Sequence, residues 1–254
     1  MNYYTTPGGG ASVAALDMLK QPHLLIAGST GSGKSVLINT LIYTILYRTP
    51  ADAQMILIDS KRVELVDYAR LPHTLSRATE PDEIGRAVAG AVSLMEYRFK
   101  TMEAGHLKKY PGGDVYVIVD ELADVVTSCK RDVLADLKKI ARLGRAARIH
   151  LILATQRPTR DIISGEIKVN IDARVALRVP TRQDSRNIIN IPGAETLPRY
   201  GRGYYLTPDT LTPKLITIPY TEPDALAERV RWWTAQIPER VPLLTKIKNY
   251  IKLK

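Results

Sequence analysis

The sequence predicts an α/β fold in which helices flank a doubly wound, mostly parallel sheet. Short apolar runs of strand length alternate with longer segments whose apolar residues recur at helical spacing, which is the pattern of parallel strands joined by crossover helices. A hydrophobic fraction of 45% is enough for a large core. The chain has no internal repeat, low-complexity tract or long linker, so we expect one domain over residues 1–236 and a short tail over 237–254.

Each predicted element follows from its local pattern. The predicted strands cover residues 23–27, 54–59, 114–121, 149–154 and 173–179, with a hairpin over 203–218. The predicted helices cover residues 34–49, 81–105, 131–143, 184–190 and 222–236, and a short element over 11–20 is expected to lie over the sheet. Pro50 ends the first helix because a residue before proline avoids the α region. The strand 173–179 alternates apolar and polar residues, which predicts a half-exposed strand.

The segment between the first strand and the first helix carries a phosphate-binding motif. Residues 28–35 read Gly-Ser-Thr-Gly-Ser-Gly-Lys-Ser, which matches G-x-x-x-x-G-K-[ST] at every fixed position. Its glycines let successive backbone N–H groups and the helix N-terminus point at an anion. Lys34 is expected to reach the β- and γ-phosphates of ATP, and the Ser35 hydroxyl to hold Mg²⁺. The predicted nucleotide-binding residues are Gly28, Ser29, Thr30, Gly31, Ser32, Gly33, Lys34, Ser35 and Val36.

The ends of two further strands supply the expected hydrolytic groups. The apolar run 115–119 ends in Asp120 and Glu121, an acidic pair that is typical of a Walker B segment when it follows a P-loop. Asp120 is expected to orient Mg²⁺, and Glu121 to polarise the water that attacks the γ-phosphate. Gln156 follows the strand 149–154, where it can sense the γ-phosphate or only satisfy backbone groups at the strand end. The adjacent glutamate favours ATP hydrolysis over a small-molecule kinase reaction.

Charge and composition restrict the partners and the compartment. The formal net charge of +10 indicates a polyanion, either nucleic acid or an anionic membrane surface. The single cysteine, Cys129, excludes an internal disulfide and suits a reducing cytoplasm. No apolar run is long enough to cross a bilayer, and the first ten residues lack the apolar core of a signal peptide.

The tail reads as a basic amphipathic helix. Apolar residues recur at helical spacing between residues 241 and 254, and lysines lie between them. Such a helix can dock on a partner protein, a membrane surface or DNA, or pack on its own domain or a neighbouring subunit.

Several motifs occur in a fixed order along residues 23–206. The longest is 150–158, His-Leu-Ile-Leu-Ala-Thr-Gln-Arg-Pro, and it is far more specific than a P-loop. The others are 22–28 leading into the P-loop, 59–61 with Glu64 and Leu65, 120–124, 145–147, 167–171, Arg174, 184–186 and 193–195. Together these segments resemble the FtsK/SpoIIIE family of DNA translocases, within the FtsK–HerA group of RecA-like P-loop ATPases.

That resemblance implies a hexameric ring that hydrolyses ATP and moves double-stranded DNA through its central pore. In such rings the nucleotide lies at a subunit boundary, and the neighbour contributes an arginine finger. Arg174 matches the family's arginine after the Lys-x-Asn segment, so this role is carried over to it, with Arg157 and Arg142 as weaker candidates. The DNA contacts are expected from Arg145, Arg148 and, at the hairpin tip, Lys214, through backbone phosphates.

The sequence also departs from the family. Ser60 replaces the usual proline of Asp-Pro-Lys, and the 254 residues contain neither a membrane-spanning region nor a winged-helix module. We therefore expect a compact cytoplasmic motor from a mobile element, plasmid or virus, moving DNA in transfer, replication or packaging. The alternatives are a motor of the same fold that moves single-stranded DNA or protein, and a non-catalytic nucleotide-dependent adaptor.

Overall fold

The computed structural model describes residues 21–48, 53–129, 133–210, 212–218 and 222–235. Its strands are β1 (His23–Ala27), β2 (Gln54–Ile58), β3 (Thr74–Ala78), β4 (Val115–Val119), β5 (Ile149–Thr155), β6 (Ala173–Ala176), β7 (Arg202–Leu206) and β8 (Lys214–Thr217). Its helices are α1 (Lys34–Arg48), α2 (Pro81–Ala104), α3 (Leu122–Ser128), α4 (Val133–Leu143), α5 (Gly165–Asn170), α6 (Arg182–Ile189) and α7 (Pro223–Ala235). The predicted element over 11–20 and the tail over 237–254 lie outside these residues.

The described strands form one sheet in the order β3-β2-β4-β5-β1-β6-β7-β8. The six strands from β3 to β6 in that order run parallel, and β7 and β8 are antiparallel to their neighbours. The predicted mostly parallel sheet and the hairpin are therefore confirmed. β5 lies between β1 and β4, so the strand that precedes the P-loop does not touch the strand that ends in the acidic pair.

Helices cover both faces of the sheet, each over its own apolar layer. One layer packs beneath α2, α4, α5 and α6 and includes Val88, Ile140 and Ile188. The other packs beneath α1, with Leu37 and Ile42 at its centre, and α7 lies partly against it. Because both faces are covered, β1, β4 and β5 are buried along their whole length, which explains their continuous apolar runs. The doubly wound arrangement is confirmed.

Three features differ from the sequence prediction. β3, α3 and α5 were not predicted: β3 is an edge strand containing Ser76 and Arg77, α3 begins directly after Glu121, and α5 follows its N-cap residue Ser164. β6 ends at Ala176, before the predicted residue 179, because the chain then turns and the Arg178 carbonyl accepts a hydrogen bond from Ser29 N. All four β6 residues are buried, so the predicted half-exposed strand is wrong: β6 lies between β1 and β7 and α6 packs on it.

Within the described ranges, no helix is both long and apolar enough to span a bilayer.

Candidate active site

The P-loop is fastened by the strands on both sides of β1. Gly28 N donates to the Thr155 carbonyl at the end of β5 (3.2 Å), and Ser29 N donates to the Arg178 carbonyl after β6 (2.9 Å). Gly28 must be a glycine, because a Cβ there would lie 2.4 Å from Ser32 Oγ and 2.7 Å from Leu177 Cβ. The loop is therefore held at the carboxyl edge of the sheet, with α1 beginning at Lys34.

The residues of the predicted phosphate site differ in exposure. Ser32 and Lys34 are buried, Thr30 and Gly31 are exposed, and Ser29, Gly33, Ser35 and Val36 are half-buried.

Lys34 reaches across from the P-loop to the end of β4. Its ammonium donates to the Asp120 carbonyl (2.7 Å) and to Asp120 Oδ1 (2.5 Å), and both side chains are almost fully buried. Burial raises the pKa of Asp120, while the charge and hydrogen bond of Lys34 act in the opposite direction. The predicted phosphate ligand and the predicted magnesium ligand are therefore in direct contact.

Glu121 is held by groups at the end of β5. Its carboxylate accepts hydrogen bonds from Thr155 Oγ1 (2.6 Å) and from Gln156 N (3.0 Å), and it is only 2% exposed. Lys61, after β2, places its ammonium 3.5 Å from the same carboxylate. These donors fix the orientation of Glu121, which is what a group that must meet one water molecule requires.

Gln156 connects the two halves of the site. Its side-chain Oε1 accepts a hydrogen bond from Thr30 Oγ1 of the P-loop (3.0 Å), while its backbone N–H faces Glu121. Gln156 can do this because β5 lies between β1 and β4. The structure therefore brings together Lys34, Asp120, Glu121 and Gln156, as the sequence predicted.

Sequence reasoning missed several neighbours of this site. Thr155 and Lys61 were not assigned roles, although both lie in recognised motifs next to predicted catalytic residues. Arg199 and Tyr200 were missed altogether: a Cβ on Gly31 would lie 3.6 Å from Arg199 Nε and 4.0 Å from the Tyr200 ring. No motif marks that segment, which reaches the P-loop only through folding.

Arg174 lies within its own chain. Its guanidinium donates to the carbonyls of Ile171 (2.9 Å), Ile188 (3.4 Å) and Lys168, and the residue is 7% exposed. Burial lowers the pKa of Arg174. These bonds tie α5 to α6, and an arginine that served a neighbouring subunit from this position would first have to leave them.

The predicted DNA-binding residues lie at the opposite edge of the sheet from the P-loop. Arg145 precedes β5 and is exposed, and Lys214 begins β8 and is also exposed. β1, β6 and β7 lie between β5 and β8, so β5 and β8 are four strand spacings apart. At about 4.8 Å per spacing, Arg145 and Lys214 are about 19 Å apart across the sheet. The three cations, predicted from two separate segments, therefore share one edge.

Arg148 differs from the other two because it is committed to an ion pair. Its guanidinium donates to both carboxylate oxygens of Asp114 (2.8 and 2.7 Å), and His150 Nε2 lies 2.8 Å from the same carboxylate. Burial acts to raise the pKa of Asp114, but His150 and Arg148 outweigh it and hold this pKa below its ordinary value. Arg148 thus has an ion-pair partner, whereas no ion pair of Arg145 is found within the described residues.

We expect Asp114→Asn to lower the free energy of unfolding by about 3 kcal/mol at pH 7, since it leaves a largely buried cation without its counter-charge. The folded-state pKa is depressed, so this stabilisation is present above about pH 4 and is lost as pH falls further. Urea unfolding at pH 7 and pH 3 measures both effects, with exposed Asp161→Asn as the matched control. A change within about 0.5 kcal/mol of the control at pH 7 would contradict the prediction.

Comparison with known proteins identifies the family of this chain. The chain matches the FtsK/SpoIIIE family over residues 7–114 and 105–160. It is 41% identical over 204 residues to DNA translocase FtsK of Clostridium acetobutylicum, covering 74% of this chain and 27% of that protein. It is 35% identical over 246 residues to DNA translocase FtsK of Chlamydia muridarum, covering 87% and 31%. The chain thus spans about a quarter to a third of the length of these relatives.

Solved structures share the fold at lower identity. The pCW3 conjugation coupling protein TcpA, in its monomer form with ATPγS, superposes with a TM-score of 0.75 at 24% identity, over 85% of this chain and 66% of that one. The cytoplasmic domain of the Thermomonospora curvata type VII secretion ATPase EccC gives 0.74 at 23% identity, over 87% and 29%.

The fold of the described residues is shared with these two structures. The family match covers more than half of the sequence. The chain belongs to the FtsK/SpoIIIE family.

Proposed function

We propose that this chain is an ATP-hydrolysing motor that translocates double-stranded DNA as one subunit of a homohexameric ring. The observation that carries the proposal is the contact network that joins Lys34 to Asp120, and Thr30 to Gln156 and Glu121, at one edge of the sheet. The FtsK relatives and the net charge of +10 support DNA as the cargo.

In the proposed reaction each residue of this network has a distinct task. Lys34 transfers its hydrogen bonds from Asp120 to the β- and γ-phosphate oxygens of ATP. The Ser35 hydroxyl and the Asp120 carboxylate are hard oxygen donors and suit Mg²⁺, which when bound would neutralise charge on the phosphates. Glu121 takes a proton from the attacking water, and Thr155 holds that carboxylate in place.

Gln156 would report the state of the γ-phosphate. Its side chain touches Thr30 and its backbone touches Glu121, so a change in its hydrogen bonding reaches both the P-loop and the base. We propose that a neighbouring subunit completes the site by contributing an arginine finger to the bound nucleotide. Arg174 is retained as that arginine. The cellular setting we propose is a cytoplasmic motor of a mobile element, plasmid or virus, which Ser60 in place of the usual proline favours.

The DNA surface is proposed at the edge that carries Arg145 and Lys214. Both side chains are exposed, and Gln21 Nε2 lies 3.4 Å from Asp209 Oδ2, so the hairpin tip contacts the segment that leads into β1. Contacts to backbone phosphates suit a motor, because tracking must not depend on base sequence. The tail over residues 237–254 is proposed to bind a partner protein or a membrane surface.

The experiment that tests the function is the ATPase rate with no DNA, with single-stranded DNA and with duplex DNA. We expect stimulation by duplex DNA, and mass photometry should show rings with nucleotide. Stimulation by single-stranded DNA alone, or by neither, would favour the single-strand or secretion-type motor instead.

Arg145→Ala with Lys214→Ala should flatten the dependence of log affinity for duplex DNA on log salt. Each lost phosphate contact removes about 0.9 from the slope, so the expected change is about 1.8. Duplex stimulation of the ATPase should fall in parallel, while the rate without DNA is kept. The control is Arg86→Ala with Arg231→Ala, two exposed arginines on α2 and α7. An unchanged slope and unchanged stimulation would remove this edge from the DNA path.

A further inference from the structure

Residues 199–201, which we call the side wall, lie beside the P-loop and have no task in the reaction described above. A Cβ on Gly31 would lie 3.6 Å from Arg199 Nε and 4.0 Å from the Tyr200 ring. A Cβ on Gly33 would lie 3.4 Å from the Gly201 backbone nitrogen. The side wall therefore runs along the phosphate loop, close enough for both of its long side chains to reach a nucleotide bound there.

The backbone of the side wall is fastened at both ends. On one side Leu197 is buried in the apolar layer beneath α2, α4, α5 and α6. On the other side the Ile218 N–H donates to the Gly201 carbonyl (2.7 Å), and β7 begins at the next residue, Arg202. Because both ends are held, the side wall is already in place before a ligand arrives, which lowers the entropic cost of binding.

The two side chains of the wall are open to solvent. Tyr200 is 70% exposed, and Arg199 is exposed as well. In the described part of the chain, Arg199 forms no ion pair and the Tyr200 hydroxyl forms no hydrogen bond. An aromatic face and a guanidinium group are the side-chain groups that bind a nucleobase and a phosphate, respectively. Both are therefore available to a ligand that approaches the P-loop.

The sheet order places the side wall on the far side of the P-loop from the hydrolytic groups. β5 and β4, which precede Gln156 and Glu121, lie on one side of β1, whereas β6 and β7 lie on the other. In the proposed reaction the γ-phosphate meets Gln156 and Glu121. Since the base of a nucleoside triphosphate is at the opposite end from its γ-phosphate, the base extends towards β6 and β7, where Tyr200 lies.

We propose, on the basis of the proposed ATPase function, that the side wall binds the nucleoside end of the same nucleotide. The Tyr200 ring stacks on the nucleobase, and the Arg199 guanidinium contacts the phosphate chain between the ribose and the γ-phosphate. Stacking tolerates any base because every base has a π-face. The planar fork of Arg199 matches paired phosphate oxygens, and it comes from the same chain as the P-loop.

The test of Tyr200 compares two ligands that differ only in the base: the β,γ-imido analogue of ATP, and the same compound without its base. Each is titrated by calorimetry in the presence of Mg²⁺. Tyr200→Ala should bind the first ligand at least about fivefold more weakly and the second unchanged, because the second has nothing to stack. Tyr200→Phe keeps the ring and should match wild type. The control is Trp232→Ala, which removes an exposed ring from α7.

The test of Arg199 uses the same two ligands. Arg199→Ala should weaken both by about tenfold, because both carry the phosphate chain and lose a charged hydrogen-bond donor. The control is Arg86→Ala, which removes an exposed arginine from α2. Binding of both ligands as tightly as by this control would overturn the contact between Arg199 and phosphate.

Two results would overturn the stacking of Tyr200. One is equal binding of the ATP analogue by Tyr200→Ala and Trp232→Ala. The other is an equal loss for both ligands in Tyr200→Ala, since that would show a distorted P-loop and not a lost stacking partner. Failure of the ATPase proposal is distinguishable, because the wild-type protein would then bind neither ligand.

Discussion

Glu121→Gln is expected to stop ATP turnover while leaving nucleotide binding intact. An amide keeps the shape of the carboxylate and can still accept the Thr155 hydrogen bond, but it cannot take the proton of the attacking water. The loss in kcat should be on the order of 10²–10⁴. Steady-state ATPase assays and binding of a fluorescent ATP analogue measure the two effects separately.

The control for this experiment is Glu103→Gln, which removes the same charge from an exposed position near the end of α2. It should leave both measurements unchanged. If the Glu121→Gln protein hydrolysed ATP at close to the wild-type rate, Glu121 would not be the base, and its contacts with Thr155 and Gln156 would be only structural.

Arg174→Ala is expected to abolish turnover, with a loss on the order of 10³ or more if Arg174 acts as a finger across a subunit boundary. The decisive measurement is mixing. Inactive Arg174→Ala and inactive Lys34→Ala subunits should partly restore activity in mixed rings, because some boundaries would combine an intact Arg174 with an intact Lys34.

The contacts of Arg174 in its own chain define the competing outcome. If the guanidinium only ties α5 to α6, the alanine variant leaves three carbonyls without that donor and should unfold at a lower temperature. Mixed rings that form but stay inactive, together with a lowered melting temperature, would show that Arg174 acts within its own subunit.

The placement of the candidate site could be predicted from the sequence because its residues lie in segments that follow apolar strands. Parallel strands bring their carboxyl ends to one edge, so Lys34, Asp120 and Gln156 had to meet once the strands were identified. Predicting that Gln156 lies between the P-loop and Glu121 also requires the order of the strands in the sheet. The apolar patterns of the strands do not contain that order.

Other features depend on contacts between distant segments and could not be predicted in this way. Arg145 and Arg148 look equivalent in the sequence, and only the fold shows that Arg148 is paired with Asp114. Arg174 looks exposed by alternation, yet it is buried because backbone carbonyls satisfy its guanidinium. β3 escaped prediction because polar residues interrupt its apolar pattern.

Strand β7 has a consequence for which changes of chain length the protein can tolerate. Just before β7, a Cβ on Gly33 would lie 3.4 Å from Gly201 N, and β7 then runs to the opposite edge, towards the hairpin tip. Deleting one residue within β7 would shift its register by about 3.4 Å and turn its side chains to the wrong faces. The deletion would therefore disturb both the edge of the sheet that carries the P-loop and the hairpin tip. A residue added to the tip would lengthen only the connection between β7 and β8, so insertions are expected to be tolerated there and deletions in β7 are not.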